Sequence, residues 1–122
     1  IGYLQADIVG QTAALSFNTF DTFRGGEAAF CFARLLSLLR HVFGVECFSI
    51  EPYQLGHGND EGLASGAWWF YFKLGFRPRA AAARALARRE LAHLRDRPGY
   101  RSSAAALARL ARWPLYFTPR SL

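Results

Sequence analysis

Residues 67–76, Ala67-Trp68-Trp69-Phe70-Tyr71-Phe72-Lys73-Leu74-Gly75-Phe76, read as the last turns of a buried helix, a glycine stop and the start of a strand, with Tyr71 just before the stop. The helix is expected over Glu61–Phe72, with Asn59 or Asp60 as its cap. Gly62, Ser65 and Gly66 make one side small, which allows close backbone approach, and the other side is aromatic. Gly75 ends the helix, and Phe76 and Pro78 lie beyond it.

Working back from this stretch, Pro52 to Glu61 reads as a loop with Gly56, Gly58 and Asn59 as turn residues. Val45–Ile50 is a short apolar strand. A helix over Glu27–Phe43 precedes it, its apolar positions Phe32, Leu35, Leu36, Leu39 and Val42/Phe43 spaced for one face and Gly44 closing it. Arg34 and Arg40 point elsewhere. Tyr3–Val9 and Ala13–Phe20 read as a hairpin turned by Gly10-Gln11-Thr12, since Leu15-Ser16-Phe17-Asn18-Thr19-Phe20 nearly alternates apolar and polar residues. The strand–helix–strand order predicts that Ala13–Phe20 and Val45–Ile50 are parallel neighbours.

Composition sets the outer bounds. A chain of 122 residues, 52% hydrophobic and 16% aromatic, builds one cored domain or most of one and does not read as disordered. No apolar run approaches the ~20 residues of a membrane span, so no membrane partner is expected. Ile1-Gly2-Tyr3-Leu4-Gln5 has no basic leader segment and no cleavage site, and no Met opens the chain, so a portion is expected to precede Ile1. Cys31 and Cys47 are too few for a disulfide framework; each sits in an apolar stretch as a small hydrophobe, which fits a cytoplasmic location. Fourteen of the 15 basic residues are Arg, and with abundant Ala this suggests a GC-rich, bacterial coding genome.

The order small residue, aromatics, Tyr71-x-Lys73-Leu74-Gly75-Phe76 resembles the segment that ends the acyl-coenzyme-A site in the GNAT acyltransferase superfamily. The resemblance covers residues 13–76, the cofactor half of that fold. It implies α+β architecture: a GNAT-like mixed β-sheet flanked by helices. It implies acetyl-coenzyme A or another acyl-CoA as cofactor, an amine as acceptor, no metal, and Tyr71 as the acid that protonates the leaving thiolate. The loop Phe23, Arg24, Gly25, Gly26, Glu27, Ala28 and Ala29 stands where the family holds the pyrophosphate on backbone N–H groups. Arg24 and Ala29 fit that pattern; Glu27 stands where the family prefers Gly, and it either faces the phosphates or simply favours the helix dipole. The family often places an Asn seven residues before the Tyr. Here that position is Ala64, and Asn59 lies twelve before, either reaching the cofactor or capping the helix.

A general base is assigned to Glu51, at the end of the Val45–Ile50 strand, where a carboxylate can take a proton from an acceptor amine. Asp21 is a second candidate, and His57, between two glycines, is better placed for a ligand than His41 or His93. Each of these also has the plain reading of a solvated loop or strand-end group.

Charge divides the chain. Residues 1–76 hold four basic and seven acidic groups; residues 77–122 hold eleven Arg against Glu90 and Asp96. We therefore expect a core over residues 1–78 and an Arg/Ala-rich C-terminal helical extension over 79–122 packed on it. That extension departs from the family, which returns after Leu-Gly-Phe with a strand hairpin. A helix over Arg79–Arg95 carries Leu86, Leu91 and Leu94. A second, capped by Ser102 or Ser103, runs to about Trp113, and Leu115-Tyr116-Phe117 is a short strand or a strap. The arginines leave binding to nucleic acid open, although a solvated helix face explains them as well. Two functions thus stand: an acyl-CoA-dependent N-acyltransferase, or a non-catalytic GNAT-like module whose basic tail docks a protein or nucleic acid.

Overall fold

The computed structural model describes residues 2–19 and 26–119. The hairpin forms as its alternation requires: β1 (Gly2–Val9) and β2 (Thr12–Thr19) pair antiparallel from Gly2↔Thr19 to Val9↔Thr12. Gly10 turns the chain, and Thr12 Oγ1 donates to the Val9 carbonyl at 3.0 Å. A crossover through α1 (Gly26–Phe43) leads to β3 (Cys47–Ile50), which pairs parallel with β2, as the strand–helix–strand order predicts.

After β3 the structure departs from the simplest reading. The expected loop contains a short helix, α2 (Pro52–Leu55), with Pro at its first turn where a missing N–H costs nothing. The expected single helix is two, α3 (Asp60–Ser65) and α4 (Ala67–Lys73). Gly66 makes the break: at φ 69° it sits in the left-handed region, closing α3 and restarting the chain as α4. The small residues that suggested close packing thus include the break between two helices.

The chain then re-enters the sheet. β4 (Arg77–Pro78) and β5 (Leu115–Phe117) pair antiparallel, with α5 (Ala81–Asp96) and α6 (Ala104–Leu110) as their connection. β5 also pairs antiparallel with β3, giving the order β1-β2-β3-β5-β4 and a mixed α+β architecture. Leu115-Tyr116-Phe117 is therefore an interior strand and not a strap. The two helices after Leu-Gly-Phe do not replace strands but lie between them.

One face of this sheet carries the core. Ala13, Leu15, Phe48, Ile50, Leu115 and Phe117 are buried on it, under Phe32 and Leu36 of α1, Leu55, Trp68 and Tyr71, and Leu86, Leu107 and Leu110 of the later helices. The opposite face shows Thr12, Ala14, Ser16, Cys47, Ser49 and Tyr116, all exposed or half-buried. Two helices turn differently from their expected stripes. At the end of α1, Val42 and Phe43 are 61% and 58% exposed, so only Phe32 and Leu36 anchor that face fully. In α5 the buried line is Ala83, Leu86, Ala87 and Glu90, while Leu91 and Leu94 stay on the surface.

Gly75 is fixed by two demands at once. Its φ is 113°, outside the range of residues with a Cβ, and a Cβ there would stand 3.0 Å from the Phe117 ring. Gly75→Ala should therefore cost about 1–3 kcal/mol, since strain and overpacking act together. Chemical denaturation reads this, and an unchanged midpoint would contradict the described turn.

Candidate functional site

The β2–β3 pairing ends at Leu15↔Ile50, yet β2 continues to Thr19. Glu51-Pro52 carries the chain away into α2, and Pro52 has no N–H with which to extend the ladder. β3 therefore ends with its pairing while β2 runs on past it, and among the described residues Ser16–Thr19 pair on their β1 side only. Phe17, on the stretch of β2 beyond β3, packs edge-on against Phe32 at 4.7 Å and stacks with Phe70 at 6.2 Å.

Tyr71 enters this aromatic group from α4. Its ring meets Phe70 at 5.2 Å, Phe32 at 5.7 Å and Phe76 at 5.8 Å, and the residue is 3% exposed. Its hydroxyl makes no hydrogen bond among the described residues. Burial pushes the phenol far above its ordinary value, because a phenolate is poorly solvated among rings. Tyr71 thus keeps its proton throughout the neutral range.

The other expected site residues fall out as follows. Glu51 is exposed at the N-cap of α2 with no side-chain cap bond, and α2 packs against α4; Glu51 and Tyr71 share no hydrogen bond. Asn59 is engaged as the α3 cap. Its Oδ1 accepts from the Gly62 N–H at 3.3 Å and its Nδ2 donates to the Tyr53 carbonyl at 3.0 Å. Of the expected phosphate loop, Phe23, Arg24 and Gly25 lie outside the described residues, as does Asp21. Gly26, Glu27, Ala28 and Ala29 form the first turn of α1, with Glu27 exposed. A helix start offers unpaired N–H groups to an anion, and the Glu27 carboxylate in the same turn opposes one. His57 and His41 are exposed; His93 lies beside the Tyr100 ring at 5.3 Å.

Three groups stand out that sequence reading passed over. Arg79 lies over the Tyr116 ring at 3.9 Å and donates to Cys47 Sγ at 3.3 Å, so Cys47 is more than a small hydrophobe. Trp69 Nε1 donates to Ser102 Oγ at 3.0 Å, tying α4 to the entry of α6. Glu90, only 4% exposed, accepts from the Tyr100 hydroxyl at 3.0 and 3.2 Å. A signal for Glu90 existed: it follows Leu86 by four positions and so shares that face. Nothing in the sequence placed Arg79 against Cys47.

Tyr100 titrates above its ordinary value, chiefly through desolvation and then through the bond and charge of Glu90, against a smaller opposing effect of Arg97. Tyr71 is raised as well. A folded-state pKa above the unfolded one contributes stability that is complete below about pH 10 and is lost as pH rises through the folded value. The melting temperature should therefore fall on the alkaline side of pH 10, and less steeply in Tyr71→Phe. Melting curves from pH 8 to pH 11 read this, and equal slopes in the two proteins would overturn the burial assigned to Tyr71.

The fold and the site define a mixed α+β domain in which β2 outruns its parallel partner beside a buried tyrosine. No protein-family model, curated protein or solved structure matches the chain. Among the described residues no helix is long and apolar enough to cross a membrane.

Proposed function

We propose that this chain carries the acyl-coenzyme-A half of a GNAT-type N-acyltransferase. The observation that supports this most is the run of β2 past the end of its parallel partner β3, next to a helix followed by the order Tyr71-x-Lys73-Leu74-Gly75-Phe76. A strand that outruns its neighbour leaves backbone N–H and C=O groups along one edge, and an extended ligand with amides, such as the arm of coenzyme A, can pair with them. The antiparallel β4 and β5 supply the strand return that the family shows after Leu-Gly-Phe, with α5 and α6 inserted in it.

In this reading the acceptor amine attacks the thioester carbonyl. A C–N bond forms and the C–S bond breaks. The surplus amine proton leaves to Glu51 or to water, Tyr71 hands its proton to the sulfur, and the phenolate takes one back from water. Acyl-CoA supplies the activated acyl group; this chain's own contribution is to exclude water with Phe17, Phe32 and Phe70 and to hold one proton at the Tyr71 hydroxyl.

A second reading, a non-catalytic module with the same fold, draws on Glu27 in the first turn of α1 and on Asn59, whose amide is spent on capping. Calorimetric titration with acetyl-coenzyme A separates the two. A saturating heat that desulfo-coenzyme A reproduces and adenosine alone does not would support the acyltransferase. Absence of binding by the full-length protein would favour the module.

A further inference from the structure

A shallow groove of about 200 Å³ runs between the end of α4, β4 and one face of α5. Its floor is apolar: Phe72, Pro78, Ala87 and Leu91. Its rim carries Arg77, Arg84 and Arg88, and none of the three has a carboxylate partner among the described residues. Arg77 is held in place: its guanidinium lies 3.8 Å over the Phe72 ring and donates to the Phe72 and Phe76 carbonyls at 2.7 and 2.8 Å. Arg84 and Arg88 are exposed and one helical turn apart, which spaces them by about 6 Å along α5.

From this groove we infer a docking site for an acidic peptide segment, one that sets carboxylates on the arginine rim and an apolar side chain on the Ala87–Leu91 floor. The site is separate from the acyl-transfer reading and does not depend on it. Charge complementarity requires an anionic partner, and two arginines one turn apart match either carboxylates or successive phosphates. The floor decides between them. A single-stranded nucleic acid gains its affinity from bases stacked on free aromatic faces. Here Phe72 is already covered by Arg77, and Tyr116 by Arg79. Leu91, 38% exposed, offers an aliphatic surface, against which a Leu or Val side chain packs and a phosphodiester does not.

The test is fluorescence anisotropy with the whole chain, at about 0.15 M salt to screen nonspecific attraction. The probes are a labelled short peptide alternating Glu and Leu, its Gln-for-Glu analogue, and labelled oligo(dT). We expect saturable binding of the acidic peptide, weaker by roughly tenfold for the Gln analogue and for the double variant Arg84→Gln/Arg88→Gln. Leu91→Asn should weaken the peptide as well, and Arg109→Gln, on α6 and outside the groove, should not. Circular dichroism melts of each variant establish that it is folded; the arginines are exposed, so no loss of fold is expected. Failure of the acidic peptide to bind overturns the inference. So does equal binding by the arginine or Leu91 variants, or binding of oligo(dT) tighter than the peptide, which would assign the groove to nucleic acid.

Discussion

If the chain works as the proposed acyltransferase, Tyr71→Phe should lower acyl transfer by roughly 10²-fold or more while leaving acetyl-coenzyme A bound as before. The substitution keeps the ring among Phe32, Phe70 and Phe76 and removes only the donor. In barrier terms the loss is about 2.7 kcal/mol. Stability at neutral pH should hold or rise slightly, because the hydroxyl makes no hydrogen bond among the described residues and its removal leaves no group newly unpaired. Three readouts therefore move apart: turnover falls, calorimetric affinity stays, and the melting temperature does not drop. A fall in melting temperature with turnover intact would make Tyr71 a packing residue and end its assignment as the acid. Glu51→Gln adds a second axis. If the carboxylate takes the amine proton, that variant loses rate at low pH and recovers it as the pH rises and free amine becomes abundant.

Where each element was legible depended on whether local pattern decided it. The hairpin and α1 are written in alternation and in i, i+3, i+4 spacing, and β3 follows because an apolar run after Gly44 has one parallel neighbour available across α1. The break at Gly66 was not legible, since a glycine among small residues reads equally as close packing or as a left-handed stop, and only the surrounding packing selects the second. The β4–β5 pair was hidden for another reason. Arg77–Pro78 is two residues long, and its partner lies beyond two helices, so no window of sequence holds both. In α5, alanines blur the stripe: Ala83, Leu86 and Ala87 bury one face, while Leu91 and Leu94 suggested another. At the site, Tyr71 before the glycine stop was readable. That its ring packs against rings from α1 and from residues on both sides of it required the fold.

The largest stability effect should come from Phe32→Ala. Phe32 is fully buried on α1, and its ring touches Phe17 at 4.7 Å, Tyr71 at 5.7 Å, Phe76 at 6.0 Å and Phe70 at 6.3 Å. One side chain thus joins the helix to the stretch of β2 beyond β3, to α4 and to the residue that enters β4. Truncation removes the transfer energy of the ring and leaves a cavity between elements that cannot all close on it, which costs about 3–5 kcal/mol. Domains of this size hold about 5–15 kcal/mol in total, so a large share of the folded population is at stake. Phe30 is the internal control. It sits half a turn away on the same helix and is 65% exposed, so Phe30→Ala should change stability by no more than about 0.5 kcal/mol. Equilibrium denaturation in urea with both variants, read by far-ultraviolet circular dichroism, compares the two directly. Equal destabilisation would mean that α1 turns a different face to the sheet than the one described. In that case the aromatic enclosure that holds the Tyr71 proton would fall with it, because Phe32 is the only ring α1 contributes to that enclosure among the described residues.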